Sequence, residues 1–304
     1  MSAQGVPLRA RRRGPVLGGV GNALRLAVLL SFALFFVLPL LWLVFAPSKD
    51  NQALVFANPL SFGSFSGFAH AWTNLTSFNG GQIFVWMRNS LLYVAAGLLI
   101  AVAVCIPAGF ALANPNFALR RPILIVTLIA MIMPGAASVL PLFLEINALH
   151  LLNTPLGVIL PAGFFPFGVY LAFIYFATSL PRDLLNAARV DGCSEWQLFR
   201  YVAMPLAQPA VALVAFFAFT ANWNNFFLPY VVLTDDRLYN LPVGLAALIN
   251  GTAALNPANV GGDLPIKRPE VALAALLIVL PIALVFLFSQ RYVQAGLLTG
   301  AEKS

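Results

Sequence analysis

The residues that could carry metal, redox or nucleophilic chemistry are few in this chain and stand apart. His70 and His150 have no Cys, His, Asp or Glu companions at metal-ligand spacing. Cys105 lies in an apolar run and Cys193 in a polar loop, with no second Cys near either, so both read as structural. A phosphate-cradling loop needs Gly, four residues, then Gly-Lys and Ser/Thr. The nearest imitation is Gly300-Ala301-Glu302-Lys303-Ser304, where Glu302 stands in the place of the second Gly. No Ser/His/Asp, Cys/His or carboxylate pair falls where a catalytic site can be argued. The sequence therefore offers no metal site, no nucleotide site and no enzyme chemistry of its own.

What it offers is a surface suited to lipid. Hydrophobic residues make up 61% of the 304 positions and charged residues 9%, against about 45–50% and about 25% in soluble domains. Too few polar side chains exist to clothe a water-soluble globule. That excludes a soluble enzyme, a disordered regulator and a nucleic-acid binder. The mean hydropathy is +0.88. The formal charge of +7 must then be mapped onto loops before it is read as a binding signal.

Six stretches are long enough to cross a hydrocarbon core of about 30 Å, which takes about 20 apolar residues. They are Leu24–Phe45, Trp86–Ala113, Ile123–Phe143, Leu156–Thr178, Leu206–Leu233 and Val271–Phe288. The expected fold class is an all-α integral membrane protein with six transmembrane helices. The first run exceeds a signal-peptide core, and Pro47-Ser48-Lys49-Asp50 is not a small-residue cleavage site. It reads as an uncleaved helix.

With the amino terminus inside, one side collects Arg9, Arg11, Arg12, Arg13, Arg25, Arg120, Arg121, Arg182, Arg189, Arg200, Arg291 and Lys303, and the other Lys49, Arg88, Arg237, Lys267 and Arg268, or 12 against 5. Basic residues near span ends stay cytoplasmic, so both termini are expected there and no nucleic-acid partner is implied. The expected division is a basic segment 1–23, a six-helix domain 24–293 holding a cytoplasmic loop 180–205, and a tail 294–304. Two long external segments, 46–85 and 234–270, lack the apolar content for cores of their own and are expected to cap the outer face. Proline at positions 107, 134, 141, 161 and 166 lies inside the spans, where kinked helices around a pathway are one reading and ordinary membrane-helix proline the other.

The loop from Leu180 to Pro205 has the local code of helix, tight turn, helix. Pro181 suits a first helical turn, and Gly192 after Asp191 suits a left-handed carboxyl-terminal cap. Ser194 with Gln197 matches a capping box, and Glu195 suits the first turn of the helix that follows. Ala187 and Ala188 add little bulk, so a partner could approach closely. An interfacial helix lying on the membrane would show similar amphipathicity, and the residues alone leave the two readings level.

The same segment resembles the signature loop of bacterial ATP-binding-cassette importer permeases: Glu-Ala-Ala, three residues, Gly, nine residues, Ile, one residue, Leu-Pro. Here the pattern runs Asn186-Ala187-Ala188, three residues, Gly192, nine residues, Val202, one residue, Met204-Pro205. Asn186 departs from the family's Glu, which bears on any ionic contact made there. Arg88-Asn89-Ser90, Met133-Pro134, Asn222-Trp223-Asn224 with Phe226 and Phe227, and the tail from Gln290 extend the likeness to the carbohydrate-uptake type.

The resemblance implies a transport subunit of a multi-pass, bacterial-type inner membrane protein that moves a sugar or sugar-like solute inward by alternating access. It implies a second homologous permease, two ATP-binding subunits carrying ATP and Mg, and an extracytoplasmic solute-binding protein, with no cofactor on this chain. Coupling to the ATPase falls to Asn186, Ala187, Ala188, Asp191, Gly192 and Pro205. For solute contact the candidates are Asn222, Trp223, Asn224 and Asn225 in the fifth span and Glu145 and Asn147 in the third. Interhelical hydrogen bonding, with Trp223 merely packing, is the competing reading of those six. A secondary transporter or channel not driven by ATP stays open as an alternative function. It would more often show paired charges in its spans or an inverted repeat.

Overall fold

The computed structural model describes residues 17–252, 255–256 and 264–301, the side chains of 17–20 and 291–301 excepted. Arg9, Arg11, Arg12, Arg13, Lys303, the Gly261-Gly262-Asp263 run and the Glu302-Lys303-Ser304 end lie outside the described residues. Among the described residues the regular structure is helical throughout, which satisfies backbone groups within each segment where no water can.

The helices are α1 (Leu17–Phe45), α2 (Phe65–Ser77), α3 (Gln82–Ala113), α4 (Arg120–Ile132), α5 (Gly135–Ala148), α6 (Pro155–Ala162), α7 (Pro166–Thr178) and α8 (Arg182–Val190). They continue as α9 (Glu195–Leu206), then α10 (Gln208–Trp223), α11 (Phe227–Val232), α12 (Leu241–Gly251) and α13 (Arg268–Ala301). Four helical stretches are long and apolar enough to cross a membrane, and two bent pairs bring the count to six if each is one span.

Helix α3 is the axis of the bundle, packed against α6, α7 and α10. Gly97, Ala101, Cys105 and Gly109 recur every fourth residue and are all buried. Between helices in lipid, close van der Waals packing replaces the hydrophobic drive, and a stripe of small residues permits it. Ala172 of α7, fully buried, lies against Gly109. By contrast, the apolar window of α1 is 0% buried within the chain.

The third expected span is corrected in form. It is not one rod over Ile123–Phe143, because α4 stops at Ile132, α5 starts at Gly135, and the two diverge by 110°. The residue before a proline is driven out of the helical region, and Met133 (ψ 125°) and Pro134 (ψ 127°) are both extended. The fifth span, expected over Leu206–Leu233, is likewise broken: α9 meets α10 at 78°, and α10 ends at Trp223 before α11 begins at Phe227. The fourth contains an interruption at Gly163-Phe164-Phe165 ahead of Pro166, and the sixth starts at Arg268 rather than Val271.

The two long non-spanning segments have no separate core. Residues after α1 fold back so that Ser48 accepts from the Ser64 amide through its carbonyl (2.8 Å) and from the Gly63 amide through its hydroxyl (2.8 Å). Helix α2 then packs on α13, and Asn74 donates to Glu270 at 3.0 Å.

Candidate functional site

The loop after α7 builds a helix-turn-helix module whose local chemistry matches its sequence code. Asp183 sits in the first turn of α8 and Arg189 in the last, each complementing the helix dipole. At the far end Gly192 has φ +83°. The Gly192 amide donates to the Arg189 carbonyl (3.1 Å) and the Cys193 amide to the Ala188 carbonyl (3.0 Å), the paired bonds of a Schellman cap. Ser194 and Gln197 form a reciprocal capping box that starts α9. Pro181 stands one residue earlier than a first-turn proline, at the N-cap of α8.

Across the turn Arg189 pairs with Glu195 at 2.9 Å, the two side chains being 38% and 56% exposed. An exposed pair of this kind contributes about 0.2–1 kcal/mol, so its main effect is to hold the two helices in one geometry. Asn186 joins weakly, its side-chain oxygen accepting from Arg189 at 3.4 Å. No residue of α8 is buried: Asn186, Ala187, Asp191, Gly192 and Pro205 are exposed and Ala188 is partly so. Here α9 is the anchor, with Leu198, Phe199 and Ala203 buried. Phe199 and Ala203 pack with Phe176 and Cys105, and Phe110 lies 5.3 Å from the Phe199 ring. The module therefore projects a bare helix from a buried root.

The sequence reading missed that residues Leu198–Ala203 form a π-helical segment. Pro205, which has no N–H to give the preceding turn, is the local signal that could have flagged an irregularity. At the bend that follows, the Tyr175 hydroxyl donates to the Leu206 carbonyl at 2.7 Å.

The six candidate solute contacts fall on two elements. Asn222, Trp223, Asn224 and Asn225 share the end of α10, while Glu145 and Asn147 are exposed near the end of α5. Trp223 does not present a ring face. It is 1% exposed, stacks on Phe219 at 5.7 Å and donates its indole N–H to the Ile278 carbonyl at 2.9 Å. Asn224 is exposed, with its amide bonded to the Thr220 carbonyl at 3.0 Å, and the Asn225 carbonyl accepts from Asn240 at 2.8 Å. Asn222 is different: its Nδ2 is buried with no hydrogen-bond partner in the structure. It lies against Gly97, where an added Cβ would come within 3.0 Å of it. Glu145 lines a groove of about 580 Å³ with Leu142, Leu149, Leu160 and Phe164.

A second group was missed as a group: Asn89 and Ser90 entered the sequence reading only as part of the family likeness, with no role. Along α3, Gln82 and Trp86 donate to the Asp236 carbonyl (2.9 and 2.8 Å), Asn89 to those of Arg237 and Tyr239 (2.8 and 3.0 Å), and Tyr93 to that of Leu238 (2.8 Å). The Leu241 amide donates to Ser90 at 2.8 Å. The positions recur at helical spacing on one face, and that polar stripe in an apolar span was the available signal. It pins the segment 236–241 to α3, and Asn240 carries the same link on to Asn225.

Among the described residues, no group of three His, Cys, Asp or Glu side chains could hold a metal ion.

Comparison with known proteins agrees with this architecture. Residues 105–299 match the family described as binding-protein-dependent transport system inner membrane component. The chain is 36% identical to the arabinooligosaccharides transport system permease protein AraQ of Bacillus subtilis over 74% of this chain and 76% of that one. It is 30% identical to the AraQ of Halalkalibacterium halodurans over 96% and 99%. With the diacetylchitobiose uptake system permease protein NgcG of Streptomyces coelicolor it shares 30% over 90% and 86%. A crystal structure of a bacterial ABC transporter involved in import of the acidic polysaccharide alginate contains a chain with the same fold, at TM-score 0.73 and 22% identity over 94% of this chain and 99% of that chain. The family match supports an importer permease and not the alternative of a carrier or channel working without ATP. The chain belongs to the inner-membrane components of binding-protein-dependent transport systems and is a multi-pass permease subunit of an ABC importer, a transport component and not an enzyme.

Proposed function

We propose that this permease moves a sugar or sugar-like solute inward by alternating access, driven by ATP hydrolysed on separate subunits. The observation that carries the reading is the exposed helix α8, fixed by a Schellman cap to a root buried in the bundle. Leu185 packs against the buried root, and the rest of α8, with no buried residue of its own, leaves its surface free for a partner. A push on α8 is transmitted through Phe199 and Ala203 to α7 and α3, against which they pack. Asn186, Ala187, Ala188, Asp191, Gly192 and Pro205 form the contact surface in this reading.

Sugar as the solute follows from the relatives, named for arabinooligosaccharides and diacetylchitobiose. A second homologous permease completes the pathway, two ATP-binding subunits hold ATP and Mg, and an extracytoplasmic protein delivers the solute. The excess of basic residues on one side supports a cytoplasmic position for both termini in a bacterial-type cell. The exposed Asn224, Glu145 and Asn147 are the side chains available for solute hydroxyls, and Asn222, whose Nδ2 is buried beside Gly97 without a partner, joins them where the helices part, since an amide or carboxylate at membrane depth calls for a polar partner. Trp223 serves in the wall.

The test is purification of the tagged full-length chain in mild detergent. ATP-binding subunits and a second permease should accompany it, and a sugar-loaded binding protein should stimulate ATP hydrolysis. Solute uptake by the chain alone, without ATP, would end this reading.

A further inference from the structure

A cavity of about 570 Å³ lies where the segment after α1 meets α2 and the start of α13, within the range of about 300–1,000 Å³ typical of small-ligand sites. Its lining shares no residue with the coupling module or with the candidate solute contacts. Charges of both signs line it: Lys49 and Lys267, Asp50 and Glu270. Lys49 and Glu270 are each 4% exposed, yet they form no ion pair with each other. The Lys49 ammonium donates to the carbonyls of Asn58 (2.6 Å) and Pro59 (3.1 Å). One of its three donors and its full charge are left without an anion. Glu270 accepts from two neutral donors, the Asn74 amide (3.0 Å) and the Lys267 backbone N–H (3.0 Å). In the same wall Asn51 Oδ1 is buried and has no donor in the structure, a state that is costly unless something supplies one.

These features define the ligand. Two cations and two carboxylates match neither a simple anion nor a simple cation. Asn51 Oδ1 requires an N–H or O–H donor. No Phe, Tyr or Trp lines the cavity, so a pyranose ring would find no stacking face. Position gives the remaining constraint, because Lys49 follows the apolar stretch Gly21–Ser48 and Lys267 precedes the stretch Arg268–Gln290. The cavity therefore sits where two spans leave the hydrocarbon, at headgroup level. Phe45, Phe62 and Phe65 cluster beside it with centroids 6.2 and 4.9 Å apart, and Phe65 is 85% exposed, as interfacial aromatics are.

We propose that this cavity binds the phosphoethanolamine headgroup of a phospholipid. The phosphate accepts from Lys267 and the free donor of Lys49. The ligand ammonium donates to Asn51 Oδ1, its charge balanced by Asp50 and Glu270. The site is independent of which solute is transported.

The full-length chain, with the subunits that purify with it, is delipidated and titrated with phosphatidylethanolamine, phosphatidylcholine or phosphatidylglycerol, and bound lipid is counted by native mass spectrometry. Phosphatidylethanolamine should bind about tenfold or more tightly than phosphatidylcholine, because N-methylation removes every N–H donor while keeping the charge. Asn51→Leu should bring it down to the phosphatidylcholine level. Lys267→Ala, at an exposed position, should weaken phosphatidylethanolamine and phosphatidylglycerol alike. It carries the test by itself should Asn51→Leu fail to assemble. Equal binding of the first two lipids, preference for phosphatidylglycerol, or unchanged binding in Lys267→Ala would overturn the proposal. Displacement of the lipid by free O-phosphoethanolamine at comparable concentration would assign the site to a soluble phosphoester instead. An Asn51→Leu effect on binding-protein docking with lipid binding unchanged would assign it to a protein contact.

Discussion

Replacing Gly192 separates backbone geometry from every other contribution of the helix-turn-helix loop proposed to couple to the ATPase. An added Cβ at Gly192 meets no atom within 4 Å, so the effect of Gly192→Val comes chiefly through φ +83°. For a residue bearing a Cβ that conformation costs roughly 1–2 kcal/mol. The β-branched side chain makes valine a poorer fit than alanine. An equilibrium between the capped and uncapped turn should therefore shift about 5–30-fold toward the uncapped form. The loss takes with it the 3.1 and 3.0 Å cap bonds and the geometry that lets Arg189 reach Glu195. The buried root of α9 is untouched, so membrane insertion and pairing with the second permease should persist. ATPase-subunit pull-down, solute-stimulated ATPase activity and uptake should fall together. Gly192→Asn is the control, since asparagine tolerates the left-handed region, and it should keep most of all three activities. Normal ATPase binding and uptake in Gly192→Val, or equal loss in Gly192→Asn, would refute the docking role and return α8 to a plain interfacial helix.

Asn186→Ala should be mild, because that side chain makes one 3.4 Å contact to Arg189; ATPase pull-down should change by less than about threefold, the scale of a weak exposed hydrogen bond. Asn89→Ala removes two bonds to the Arg237 and Tyr239 carbonyls, at about 0.5–1.5 kcal/mol each; hydrogen exchange and proteolysis at 236–241 should accelerate while α8 stays protected to the same degree. The purified chain without its partners should show no saturable nucleotide binding in an equilibrium ATP titration, since it has no phosphate loop. Reporters fused after Ser304 or inserted near Asn114–Arg121 should read cytoplasm, and reporters near Ser64 or Gly262 outside. Reversed signals at either pair would overturn the six-span topology.

The helix-turn-helix module shows how far local code reaches. A left-handed Gly192, a capping box at Ser194 and two helices meeting between them follow from interactions spanning six residues or fewer, which the sequence states outright. Class and approximate spans were equally legible, because 61% hydrophobic residues in runs longer than the hydrocarbon core leave lipid as the solvent. Even the break after Ile132 was written in Met133-Pro134, although reading that segment as one apolar run concealed it.

Other features depended on elements distant in the chain. Trp223 reads the same in sequence whether it faces a pathway or a core, and its indole bond to the Ile278 carbonyl of α13 holds it in the core. The donors along α3 find acceptors about 150 residues away, with separations of 145 to 154, so no local pattern names their partners. Lys49, Asn51 and Glu270 are unremarkable apart and become a site only when the fold brings together Asn74 and Glu270, 196 positions apart. Backbone caps and hydropathy are short-range properties that one segment contains by itself. Burial and the pairing of polar groups belong to surfaces that exist only once the segments have met.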